Sequence, residues 1–365
     1  MSDNRLAELS NGTSKVANIY EANHAQSRDM VITLLHIIGM LLILLCHFFQ
    51  AEKVYYISEI VISGVPLFLF IAGFLSGKKE IKNVAKWYLV KAKRVLIPYY
   101  VFIFLIFAIS LISDIIEVSL SQSLYCLFNV QGLHYTIIKF GTYHSIKGAG
   151  HLWYITTITI CYLITPALQK LRRIKLNRYQ MALLIVGLLL AQLGLVYIGV
   201  QVSYILTYCF GYFIAQSTIR TDLKWYSGLS VLTMIVMFIR IICRFLLDAT
   251  DFYDRYITLI SSAILAVWIF YTMYFIKNKK PKYIAFFEKK TVHFIERISY
   301  YVYITHFMFF APPFFMPQIV GNKWIGYLLS FVLSFVTAIM LWYLVEKIIW
   351  KLIDLIGKKS PNSRQ

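Results

Sequence analysis

Apolar residues run along this chain in blocks of about twenty, with short polar stretches between them. Ten such blocks can be read, at about 30–49, 56–77, 95–113, 152–168, 180–199, 202–217, 227–246, 256–276, 295–316 and 324–346. A bilayer core takes about 20 helical residues to cross, so the pattern predicts an all-α integral membrane protein of about ten transmembrane helices. Residues 1–29 are polar and mixed in charge, and read as a tail ahead of a membrane domain over 30–346. A second tail follows over 347–365. Most connections are short. The exception, about 114–150, is aromatic and carries histidines, as expected of a re-entrant or interfacial element with a functional role. No internal repeat is visible, and the two halves lack matching Gly/Pro-broken spans, which argues against a secondary transporter.

Composition supports this picture. The chain has 365 residues, of which 59% are hydrophobic and only 15% charged, where a soluble domain is nearer a quarter charged. The net charge of +19 raises the question of a nucleic-acid partner. Its distribution excludes one, because the basic residues gather in alternate loops and not in an aromatic-interleaved patch. Seven Lys or Arg lie between Lys78 and Arg94, five between Lys170 and Arg178, and seven between Lys277 and Arg297. The intervening loops carry one or two at most. The positive-inside rule then places both termini in the cytoplasm, with some attraction to anionic lipid. Of five cysteines, Cys46, Cys161, Cys209 and Cys243 fall within or beside spans and only Cys126 in an outer loop. That is neither a disulfide framework nor a zinc motif.

The chemistry lies in the polar residues inside the spans, since ionisable groups there are costly and need partners. His36 and His47 sit in one uninterrupted run, MVITLLHIIGMLLILLCHFF. Eleven residues at about 100° each bring them to one helix face, about 16 Å apart along the axis. A neutral imidazole reached by a water-lined cavity can act as a general base; hydrogen bonding between helices is the alternative. Cys46 adjoins His47 but points about 100° away, so a Cys–His dyad is not expected.

Four other stretches carry candidates. Gly64, Ala72, Gly73, Ser76 and Gly77 thin the second span and permit close approach of a helix or ligand. Glu59, in the outer part of the same span, is a candidate for a buried carboxylate, with an interfacial position as the alternative. Lys91 and Arg94 share a face where the third span begins, and suit either phosphate binding or anchoring at the inner surface. His151 stands at the mouth of the fourth span with Trp153, which an aromatic belt explains, whereas His151 it does not. Tyr300, Tyr303 and His306 recur at threes on one face near the end, and Arg240 is the remaining deep charge, in need of a carboxylate, a polar network or an anionic ligand.

Taken in order, LLCHFF, GVPLFLFIAGFLSGKK, KRVLIPYY, HLWYITTITICYLITP and ISYYVYITHFMFF resemble the acyltransferase-3 family of integral membrane acyltransferases, over about residues 31–346. The family's first span carries a basic residue, ten intervening residues and a histidine; His47 matches the histidine, and His36 stands where Arg or Lys is expected. The family's Arg-x-x-Arg is met as Lys91-x-x-Arg94, and its Ser-Gly-Phe as Ala72-Gly73-Phe74. The late Ser-Tyr-x-x-Tyr-x-x-His is intact as Ser299, Tyr300, Tyr303 and His306.

The resemblance implies an O-acyltransferase, of the cell-surface polysaccharide O-acetyltransferase type, in a bacterial plasma membrane. It would move an acyl group, usually acetyl, from cytoplasmic acetyl-CoA to a hydroxyl of an exported or surface polysaccharide, without a metal. Lys91 and Arg94 would hold the donor's phosphates, and His36 and His47 would line the route, with His47 as base or transient acyl carrier. The outer loop, with His134, His144 and His151, would receive the glycan. Trp153, Tyr303, His306, Arg240 and Glu59 complete the expected substrate-binding set. A transporter or flippase for a glycan or lipid intermediate is the alternative that also accounts for deep histidines and Arg240. The residues name neither the acyl group, the acceptor nor the oligomeric state.

Overall fold

The computed structural model describes residues 29–136, 145–173, 178–198, 200, 202–215, 219, 221–247 and 256–353. Most of both expected tails lies outside these residues, as do His144 and part of the long outer loop. The described residues form helices and no strand. Seven helices are long and apolar enough to cross a membrane, over Met30–Ala51, Tyr55–Gly77, Val84–Ile112, Gly150–Arg172, Leu223–Leu246, Ile260–Lys279 and Lys323–Ile353.

The helices begin where short polar side chains cap them. Helix α1 (Met30–Ala51) starts at Asp29, whose carboxylate accepts from the Val31 amide at 3.2 Å. Asn83, Asp222 and Asn322 do the same for the helices that follow them. Such a cap answers one of the four backbone donors that a helix start leaves without a partner. The second span is two helices, α2 (Tyr55–Val61) and α3 (Gly64–Gly77). It is followed by α4 (Val84–Ile112), two short helices α5 (Leu120–Leu127) and α6 (Leu133–Thr136), and α7 (Trp153–Arg173), which continues a 3₁₀ turn at Gly150–Leu152. Beyond lie α8 (Arg178–Tyr197), α9 (Ser203–Ile214), α10 (Leu223–Ile241) and α11 (Thr258–Lys279). The last elements are α12 (Pro281–Phe286), α13 (Lys290–Thr305), α14 (Phe307–Phe310), α15 (Met316–Val320) and α16 (Lys323–Trp342), which runs on through a wider turn at Tyr343–Ile349.

The small residues of α3 do what their spacing suggests. A Cβ on Gly73 would lie 2.0 Å from the Tyr208 carbonyl oxygen of α9, and one on Gly77 would lie 2.2 Å from that of Tyr212. Gly211 of α9 returns the approach, 2.1 Å from the Phe70 oxygen. Backbones in direct contact are the usual means of joining helices where lipid offers no hydrophobic drive. Phe70, Phe74 and Phe270 fill the space beside this seam. Large apolar side chains such as Leu111 and Ile112, 87% and 84% exposed, cover the outside.

Three expected spans are not among those seven, and the first of them, 180–199, is nonetheless a helix of 20 residues, α8. The block at 202–217 is a helix of 12 residues. The block at 295–316 is broken at His306 into α13 of 16 residues and α14 of four. At His306 the backbone keeps helical angles, φ −61° and ψ −39°, and the ring takes up the Val302 and Tyr303 carbonyls. The helical path ends after Phe310, where Ala311 is extended, as the residue before a proline prefers, and Pro312 and Pro313 follow. In the outer loop, Ser119 and Gln122 form a capping box that starts α5. Tyr99 Oη donates to the Cys126 carbonyl at 2.7 Å, and Gly132 N donates to Thr156 Oγ1 at 3.0 Å, which seats this segment on α4 and α7. All five cysteines are free thiols.

Candidate active site

Three histidines from three distant parts of the chain meet at one end of the bundle. His47 comes from the last turns of α1, His151 from the 3₁₀ turn ahead of α7, and His306 from the break between α13 and α14. The ring of His306 lies 5.2 Å from that of His47 and 4.9 Å from that of His151, centroid to centroid. Phe307 covers both outer members, 4.6 Å from His47 and 5.1 Å from His151.

The surroundings assign a proton to each ring. His306 Nδ1 reaches the Tyr303 carbonyl at 2.8 Å and the Val302 carbonyl at 3.1 Å. A carbonyl only accepts, so Nδ1 carries the hydrogen and Nε2 keeps a lone pair. His151 is the reverse: Nε2 donates to the Ile304 carbonyl at 3.0 Å, and Nδ1 keeps the lone pair. Tyr303 Oη in turn donates to the His151 carbonyl, so α13 and the 3₁₀ turn hold each other reciprocally. His47 Nδ1 donates to Gln50 Oε1 at 3.0 Å, one turn along α1, which leaves His47 Nε2 as the basic atom. His306 and His151 are buried, whereas His47 is half-buried and is the member that a substrate can reach.

His36 stands apart from this cluster. Its Nδ1 lies 3.1 Å from Glu296 Oε1 of α13, and its ring stacks on Phe68 at 5.9 Å. Glu296 is a residue that sequence reasoning missed, although an acid at the start of the span read at 295–316, one turn before Ser299, was a signal for it. Phe307 was missed too. Gln50 was missed as well, although it stands three residues after His47 on the same helix face.

Lys91 and Arg94 lie on α4 toward the opposite end. Lys91 Nζ sits over the Tyr162 ring at 4.5 Å and the Trp87 ring at 5.4 Å, and Arg94 is exposed. A column of tyrosines leads from here to the histidines. Tyr300 Oη donates to the Val95 carbonyl at 2.9 Å, the Tyr300 ring stacks at 6.4 Å on Tyr303, and Tyr303 stands 5.2 Å from both Tyr154 and His151. Trp153 turns from the cluster to Tyr204, 4.9 Å away.

Arg240 and Glu59 answer each other. Arg240 is 2% exposed and its Nη2 reaches Glu59 Oε2 at 2.8 Å, while Nη1 donates to Ser261 and Ser262 at 3.0 Å each. This is the carboxylate and polar network that a deep guanidinium requires. Among the described residues, no three His, Cys, Asp or Glu side chains are grouped so as to hold a metal ion.

A family model for the acyltransferase domain of the acyltransferase-3 type matches residues 31–345. No curated protein and no solved structure matches the chain. The matched stretch takes in α1 through the turn after α16, and with it all three clustered histidines, the His36–Glu296 pair and the basic end of α4. On that match and on its membrane-spanning helices, this chain is a membrane acyltransferase and belongs to the acyltransferase-3 family.

Proposed function

We propose that the protein transfers an acyl group, acetyl in the family pattern, from coenzyme A at the cytoplasmic face to a hydroxyl of an exported or cell-surface polysaccharide in a bacterial plasma membrane. The observation that carries this reading is the separation of two sites joined by one column of rings. The basic end of α4 offers Arg94 and Lys91 to phosphates. The other end offers the imidazole cluster, with His47 accessible.

The chemistry follows from the assigned protons. His47 Nε2 takes the proton of the acceptor hydroxyl as its oxygen forms a bond to the thioester carbonyl carbon. The carbon–sulfur bond then breaks, the sulfur leaves as thiolate, and the proton held on His47 passes to it. The products are an ester and free coenzyme A, and His47 returns to its starting form. Gln50 Oε1 stabilises the imidazolium through the Nδ1 hydrogen. Where His36 replaces the family's fixed cation, its pairing with Glu296 keeps an ionisable contact on the donor side.

The test is an assay on membranes with radiolabelled acetyl-CoA. Label appearing on polysaccharide supports the reading. Export of polysaccharide that depends on the protein but leaves it unlabelled would overturn it in favour of a transporter.

A further inference from the structure

We propose that His151 Nδ1 and His306 Nε2 form a subsite that accepts hydrogen bonds from two adjacent hydroxyls of the acceptor, and so selects a neutral polyol. The assignment rests on the acyl-transfer reading above. His151 is 4% exposed and His306 is fully buried, yet these two nitrogens have no hydrogen-bond partner. Neither ring can turn to relieve this without breaking its bond to a backbone carbonyl, at 3.0 Å for His151 and 2.8 Å for His306.

The two nitrogens cannot serve each other, since both are acceptors, with their rings 4.9 Å apart. Tyr303, 5.2 Å from His151 by ring centroids, gives its hydrogen to the His151 carbonyl. The His47 ring hydrogen goes to Gln50. Phe307 and Phe310 bring apolar rings. A buried acceptor without a donor is costly, so these two atoms call for a partner that brings hydrogens. A phosphate or carboxylate brings lone pairs to a place that already holds them. Two orphaned acceptors require two donors, and neighbouring hydroxyls on a sugar ring supply both while setting one of them beside His47.

The experiment uses the full chain in detergent, acetyl-CoA, and polysaccharide extracted from cells that lack the protein. Four variants are compared: His306→Leu and His306→Gln, His151→Leu and His151→Asn. Both members of each pair lose the ring's bond to its backbone carbonyl, but the amides keep an acceptor near the orphaned position. The leucine variants should raise the KM for polysaccharide roughly tenfold or more, with the KM for acetyl-CoA unchanged, and the amides should recover part of the loss. An active wild type whose leucine variants keep the wild-type acceptor KM would overturn the subsite, as expected if water alone fills it. Equal movement of both KM values, or amides no better than leucines, would also overturn it. A wild type that transfers no acetyl group overturns the functional reading itself, and the subsite with it.

Discussion

His47 and His306 face each other with ring centroids 5.2 Å apart, although they come from opposite ends of the sequence. The contact follows from two helices running side by side in the same direction. His36 of α1 meets Glu296 of α13 one level down, at 3.1 Å. From there to the histidine level is about 16 Å of helix on α1 and about 15 Å on α13. The two pairs are therefore in register, and a shift of either helix by one residue would separate both.

Replacement of His47 by Ala should lower acyl transfer by roughly 10²–10⁴-fold, the usual loss of a general base. Incorporation of label from acetyl-CoA, normalised to the amount of folded protein in the membrane, measures it. Full activity would remove His47 from the chemistry.

His36→Arg should be tolerated, because a guanidinium can reach the Glu296 carboxylate that already receives the imidazole. His36→Leu should not be. A double-mutant cycle with Glu296→Gln should show about 0.5–3 kcal/mol of coupling between the two positions. Additive effects on acetyl-CoA turnover would mean that the pair does not act as a unit.

Arg94→Ala should raise the KM for acetyl-CoA more than Lys91→Met does. Arg94 is exposed, whereas Lys91 lies against the Tyr162 and Trp87 rings. The Arg94 effect should shrink as salt is added, since screening weakens an exposed ionic contact. Steady-state kinetics at two salt concentrations separate the two residues.

Arg240→Met should destabilise the protein by about 3–5 kcal/mol by leaving the Glu59 carboxylate without its cation, and Arg240→Met with Glu59→Met should recover much of that. Thermal unfolding in detergent reads the effect. Transfer per folded molecule should change little, because the pair is satisfied within the protein. A rise in acceptor KM with unchanged unfolding would instead make Arg240 a substrate ligand.

Gly73→Val should be among the most damaging single changes. Even a Cβ there would stand 2.0 Å from the Tyr208 carbonyl oxygen, which belongs to backbone and cannot swing aside. Overpacking of this kind costs about 1–3 kcal/mol, and more where backbones must part. Loss of the folded species by size exclusion is the expected result, while Gly187→Ala, with open space around it, should be neutral.

The sequence by itself determined the all-helical, membrane-spanning character, because hydropathy along one helix is a local property and the bilayer demands that each span satisfy its own backbone. It also singled out His47, His151, Tyr303 and His306, since polar groups inside apolar runs stand out without any knowledge of their neighbours. It pointed to the glycines of α3 because small residues gathered in one span permit close helix approach. What only the tertiary structure decided is who meets whom. The sequence left Arg240 in need of a carboxylate, a polar network or an anionic ligand, and the fold brings the Glu59 carboxylate to it. It offered His36 beside His47 on one face, and the fold gives His36 a separate partner in Glu296. It read 295–316 as a continuous span, and the fold breaks that span at His306 and places the ring against two others. Lateral pairing of helices in lipid depends on close backbone contact and interhelical hydrogen bonds between segments far apart in the chain, and no pattern within a single segment encodes that.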